Sequence, residues 1–165
     1  MGLVLSGGGA RGAYEAGVLA HLFEEVYPAL RSGFEFDVVS GTSVGAIHAA
    51  YVAASSHEEV GSRVGRLIET WENMRVRDVL RLSVGDVVGV PLRALGVRTL
   101  SRRLRAGADV IGGLVDLAPL ERIVEDRIPW EHLADNLSAF RPGALCVSCT
   151  EVRSGRVTVF MSGPL

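Results

Sequence analysis

Two short stretches hold the residues best suited to catalysis or binding. Gly41-Thr42-Ser43-Val44-Gly45 is a G-x-S-x-G pentapeptide, the pattern that sets a serine on a sharp turn between a strand and a helix. Such a turn lifts the hydroxyl clear of the sheet and places it at a helix N-terminus, where the helix dipole favours developing negative charge. The second stretch, Gly7-Gly8-Gly9-Ala10-Arg11-Gly12, fits G-x-G-x-x-G at Gly7, Gly9 and Gly12. That spacing marks a dinucleotide-binding loop, but it also suits any bank of backbone N–H donors at the start of a helix. The loop therefore cradles either a cofactor pyrophosphate or a negative charge that exists only during a reaction.

The flanking sequence indicates which strands and helices hold these residues in place. Gly2 to Ser6 is a short apolar run ending in glycines, as in a buried parallel strand. Gly12 to Tyr27 follows as a helix, with Tyr14, Val18, Leu22 and Val26 as the expected packing stripe and Pro28 as its end. Phe34 to Ser40 reads as a second strand and Ala46 to Ser55, small and apolar all round, as a buried helix. His57 to Met74 reads as an amphipathic helix with Ser56 as its cap. Residues 75–113 have a looser pattern, with arginines at Arg93, Arg98, Arg102, Arg103 and Arg105, and are expected to form a lid or insertion. Pro119 to Arg127 and Trp130 to Leu137 are short helices. Ala144 to Val152 and Arg156 to Met161 are strands joined at Arg153-Ser154-Gly155 by a tight hairpin. This order predicts an α/β fold in one domain over residues 1–165, its mostly parallel sheet covered on both faces.

That layout separates the two readings of the glycine loop. A dinucleotide fold needs an Asp or Glu at the end of the second strand to hold the ribose. Here Glu35 and Asp37 lie at the start of that strand and Ser43 lies at its end. A phosphate-binding P-loop would need G-K-[ST], which is absent. Adjacent parallel strands would instead place the glycine loop beside Ser43, and N–H donors beside a nucleophilic serine make an oxyanion hole. A Ser–His–acid triad is not legible, because His21, His48, His57 and His132 all lack a local signature. Either the base is not histidine or it is not in this chain.

Composition narrows the field further. A net charge of −2 gives no global case for nucleic acid binding. All 17 basic residues are arginine, which biased composition explains. No apolar run approaches the ~18 residues of a membrane-spanning helix, and no charged leader precedes the first apolar run. Met1-Gly2-Leu3-Val4-Leu5-Ser6 fits the N-myristoylation pattern, yet those residues are needed as a strand. Cys146 and Cys149 have no second pair to complete a zinc site and fall on a strand, so they read as small core or near-core residues. The chain is expected to be cytoplasmic, with no metal and no cofactor. The arginine cluster either meets anionic headgroups at a membrane surface or is a solvated helix face. Val84 to Val90 and Ile111 to Leu114 read as core packing in preference to a lipid-contacting lid.

The two motifs together, the glycine run directly after a first strand and then Gly41-Thr42-Ser43-Val44-Gly45, resemble the patatin-like phospholipase family. The stretches Asp116 to Leu133 and Leu145 to Gly163 are similar to that family as well, so the resemblance covers essentially the whole chain. It implies a three-layer α/β/α fold and a lipid acyl hydrolase that uses a Ser–Asp dyad on lipid or phospholipid substrates. By motif position, Ser43 would be the nucleophile and the backbone amides of Gly8, Gly9, Ala10 and Arg11 the oxyanion hole. Arg11 would also hold the loop or meet an anionic substrate. The chain departs from the family in one respect: the dyad Asp belongs to a D-G-G or D-G-A motif, and no Asp here precedes a glycine. The resemblance thus predicts an N-terminal portion whose Asp comes from a C-terminal part, on the same or a separate chain. The alternatives are a Rossmann-type nucleotide-binding module and a noncatalytic patatin-like interaction domain.

Overall fold

The computed structural model describes residues 1–30, 36–75, 81–82, 115–116, 118–139, 141–151 and 153–163. In chain order these form β1 (Gly2–Leu5), α1 (Gly12–His21), β2 (Val38–Thr42), α2 (Val44–Ala54), α3 (Val60–Asn73), β3 (Arg81–Leu82) and β4 (Val115–Asp116). α4 (Ala118–Arg127), α5 (Leu133–Ser138), β5 (Ala144–Thr150) and β6 (Val157–Ser162) follow. Residues Met1–Asn73 and Val124–Leu165 make one unit, and Met74–Ile123 a second. In the second, β3 pairs antiparallel with β4 through Arg81 to Asp116 and Leu82 to Val115. The arginine cluster from Arg93 to Arg105 and the apolar runs at 84–90 and 111–114 lie outside the described residues.

The first unit is built on a sheet in the order β1-β2-β5-β6, parallel except for the last strand. This is the α/β class expected, with a mostly parallel sheet and flanking helices. The register opposes Leu5 to Gly41 and Val39 to both Leu3 and Leu145. Because side chains alternate along a strand, Leu5, Val39 and Leu145 share one face, and all three are buried. α2 lies over them, and its buried Ala49, Ala50, Ala53 and Ala54 let a helix backbone approach the sheet closely. The other face carries Val4, Val38, Val157, Val159 and Met161, all exposed, with Val4 at 80%. The β5–β6 hairpin turns through Gly155 at φ 68°.

Several local expectations change. In α1 the buried residues are Gly12, Ala16 and Leu19, continued by Phe23, whereas Tyr14, Val18 and Val26 are exposed. The face turned inward is therefore the smaller-residue face, because the helix start must fit against Trp71 and Val44. The helix does not stop before Pro28. It continues through a π-helical stretch, Leu22–Val26, into Tyr27–Ala29, so Pro28 lies within the run and withholds one backbone donor from it. Ser56 does not cap α3; its hydroxyl donates to the carbonyls of Ala53 and Arg141. The Glu59 carboxylate accepts the Ser62 N–H at 3.1 Å instead, and bonds from the Gly61 and Ser62 amides hold it below the ordinary glutamate range. Cys146 and Cys149 are free thiols on opposite sheet faces, and Cys149 is exposed, not core. The C-terminal end of α2 is closed by α5, whose buried Asn136 donates to the Ala53 and Ala54 carbonyls at 2.9 and 2.8 Å.

Candidate active site

β1 and β2 end side by side, since Leu5 is opposite Gly41, so the glycine loop and the G-x-S-x-G turn emerge at one edge of the sheet. Ser43 has φ 56° and ψ −128°, the single positive-φ non-glycine among the described residues. Holding a side-chain residue there costs on the order of 1–3 kcal/mol, and such strain persists only where the surroundings enforce it. The enforcement is steric. A Cβ at Gly41 would stand 2.1 Å from the Gly45 carbonyl oxygen, because the chain doubles back on itself within four residues. A Cβ at Gly45 would stand 2.4 Å from the Leu5 carbonyl oxygen, because α2 starts against the end of β1. The Ser43 carbonyl accepts the Ala46 N–H at 2.9 Å, so α2 begins at the serine itself. Ser43 is exposed, with the positive end of an 11-residue helix behind it.

The glycine loop runs directly past this residue. A Cβ at Gly7 would be 3.1 Å from the Ser43 Cβ and 3.9 Å from its hydroxyl oxygen. Gly9 takes φ +55°, a conformation open to glycine, and no atom lies within 4 Å of where its Cβ would be. Gly9–Arg11 then form one 3-10 turn leading into α1. The Arg11 N–H is committed to the Gly8 carbonyl at 3.1 Å. Gly9 and Ala10, at the first positions of the turn, have no acceptor within it. Gly7, Gly8, Gly9, Ala10 and Arg11 are all exposed, and Gly12 is buried. The structure thus brings together Ser43, the loop Gly7–Gly12 and the elbow glycines Gly41 and Gly45.

The histidines lie elsewhere. His21 is exposed on α1. His57 and His132 lie with ring centroids 4.1 Å apart, and His57 Nδ1 is 3.2 Å from Asn136 Nδ2. His48 is buried under the elbow, with Nδ1 2.7 Å from Glu15 Oε2 and Nε2 accepting the Trp71 indole N–H at 2.8 Å. Burial pushes its pKa below the ordinary histidine value, against the opposing pull of Glu15. In the sequence His48 carries no local signature, and neither Glu15 nor Trp71 stands out as its partner. The available signal was a histidine inside an otherwise small and apolar helix, which needs a polar partner from another element. Asp37 lies before β2, at the end of the strand away from Ser43, and pairs with the Met1 amino group.

A polar cleft of about 320 Å³, lined by Arg66, Thr70, Glu125, Asp126 and Glu131 among others, contains none of the loop or elbow residues. Among the described residues no cluster of three or more His, Cys, Asp or Glu side chains is placed to hold a metal ion. Among the same residues no helix is long and apolar enough to cross a membrane.

Residues 3–147, which span the glycine loop, the elbow and most of the sheet, match the family described as patatin-like phospholipase. The chain belongs to the patatin-like phospholipase family. No curated protein and no solved structure matches it. Membership fixes the fold class as three-layer α/β/α, of which the parallel sheet and its flanking helices are described above. It also sets the general function as lipid hydrolysis and the substrate class as lipids.

Proposed function

We propose that the protein is a lipid acyl hydrolase in which Ser43 attacks an ester carbonyl and the glycine loop receives the resulting oxyanion. The observation that carries this reading is the approach of Gly7 to Ser43. The loop passes within van der Waals distance of an exposed serine at positive φ. A serine so placed has amide donors on one side and a helix N-terminus behind it, the two devices that stabilise a tetrahedral oxyanion. Gly8, Gly9 and Ala10 are the proposed donors, whereas the Arg11 N–H is engaged within the turn and its side chain covers Gly8. After attack, the alcohol portion of the lipid leaves with a proton, and water then releases the fatty acid from Ser43.

The serine needs a base to take its proton. His48 is bound to Glu15 and Trp71, and no aspartate in the sequence stands before a glycine as the family's dyad aspartate does. We place that base outside these 165 residues, on a continuing or separate chain. The work is assigned to the cytoplasm, with peripheral contact to a membrane that presents the lipid. The test is labelling with a lipid-like fluorophosphonate. The intact protein should label at Ser43, Ser43→Ala should not, and the 165-residue chain alone should turn over no ester. Labelling that survives Ser43→Ala, or full esterase activity from the isolated chain, overturns the respective assignment.

A further inference from the structure

We propose that Glu15, His48 and Trp71 are positioning residues that hold the glycine loop in register with Ser43 through one hydrogen-bond chain. The proposal rests on the hydrolase reading above and deepens it.

The chain begins at the loop. The N–H of Ser6, the residue before Gly7, donates to Glu15 Oε1 at 3.0 Å. The second carboxylate oxygen, Oε2, lies 2.7 Å from His48 Nδ1. On the far side of the ring, Nε2 lies 2.8 Å from the Trp71 indole nitrogen. An indole N–H can only donate, so Nε2 carries the lone pair and the His48 proton resides on Nδ1, donating to Glu15. Every polar atom in the chain has one permitted role, and the sequence of roles runs in one direction from Trp71 to Glu15. The burial that disfavours the charged imidazole acts in the same sense.

What the chain connects gives it a function. His48 is on α2, the helix that starts at Ser43, and Trp71 is on α3. Glu15 is in the first turn of α1, directly after the loop. The Trp71 ring also fills the space beside Gly12, where a Cβ would stand 2.4 Å from it and 2.6 Å from Val44. Both ends of the loop, Ser6 before it and Gly12 after it, are thereby tied to the helix that carries the serine. The loop itself is exposed and has a glycine at positive φ, so its amide positions depend on those anchors. Amides misplaced by about 1 Å lose roughly a hundredfold in rate.

Glu15→Gln isolates this role because the shape is kept and one acceptor becomes a donor. Both carboxylate oxygens face donors, so every orientation of the amide sets N–H against N–H unless His48 moves its proton to Nε2. That move is blocked by the Trp71 N–H. Trp71→Phe removes the block, lets His48 change tautomer and restores an acceptor to Ser6. In the intact protein, ¹⁵N-histidine spectra should show His48 neutral with its proton on Nδ1 at neutral pH. Glu15→Gln should slow fluorophosphonate labelling of Ser43 and lower kcat on a soluble short-chain ester by about ten- to a hundredfold, leaving KM near its original value. Adding Trp71→Phe to Glu15→Gln should recover part of that loss.

A wild-type His48 with its proton on Nε2 overturns the chain outright. Labelling in Glu15→Gln at the wild-type rate, or losses in the two variants that simply multiply, overturns the positioning role. Wild-type protein with the Nδ1–H tautomer but no labelling at Ser43 overturns the hydrolase reading on which the role depends.

Discussion

The elbow and the glycine loop meet at Ser43, yet they use glycine for opposite reasons. At Gly41 and Gly45 glycine is needed because other backbone occupies the place of a side chain, 2.1 and 2.4 Å from where a Cβ would be. At Gly9 the space is empty and glycine is needed for φ +55°. One region is held by packing and has no slack; the other is exposed and held at its ends. The serine is placed by the rigid region, and the proposed oxyanion donors belong to the compliant one. Errors in the first should appear as lost stability, and errors in the second mainly as lost chemistry.

Substitution of Gly45 should give the largest effect. Gly45→Ala drives a methyl group into the Leu5 carbonyl, and neither backbone can yield without moving β1 or α2. Its cost should lie at or above the top of the ~1–3 kcal/mol range of overpacking, read as a lower denaturant midpoint with an unchanged slope. If Gly45→Ala is as stable as wild type, the rigid half of the comparison fails. Gly9→Ala should lower stability less, by roughly 1–2 kcal/mol, the cost of forcing a side chain to positive φ. Its labelling at Ser43 should nevertheless slow by more than that stability change accounts for. Equal losses in stability and labelling would erase the distinction between the two regions.

Acidification tests the anchors between the regions. The unfolded chain holds His48 at its ordinary value of 6.5, and the folded chain holds it lower. Between those values the unfolded state binds the extra proton, so stability is fully present above pH 6.5 and declines as pH falls below it. His48→Gln should flatten that part of the stability profile. The smallest effect belongs to a glycine with neither reason to be one. Gly65 is exposed in the middle of α3 with nothing within 4 Å of its Cβ position. Gly65→Ala should stabilise by roughly 0.5–1 kcal/mol, and a loss there would mean that a glycine's surroundings are a poor guide to its role in this chain.

Legibility in the sequence followed how local the cause was. β1, α2 and the β5–β6 hairpin were visible because apolar runs and turn residues sit next to one another in the chain. The elbow was visible because its two glycines and serine fall within five residues, although the contact that requires Gly45 comes from Leu5 of β1. The packing face of α1 was misread, since Tyr14 and Val18 look like core on spacing alone. The close approach of Trp71 and Val44 to Gly12 selected the smaller face. Ser56 was misread as a cap for a similar reason: a hydroxyl before a helix suits the role, but the Arg141 carbonyl, distant in sequence, engages it.

Residue types and order along the chain suffice to set a serine on a turn between a strand and a helix, and a glycine run after an earlier strand. Those outcomes depend on residue types and short spacings, which the backbone reads within a few residues. That Gly7 lies against Ser43, and that Glu15, His48 and Trp71 meet, follows instead from packing between separate elements. These contacts join residues up to 36 positions apart on different elements. They exist because β1 pairs with β2 in one register, α2 packs on those strands, and α1 packs against both α2 and α3. Hydrogen bonds act over about 3 Å, so their partners are set by that packing and not by order along the chain.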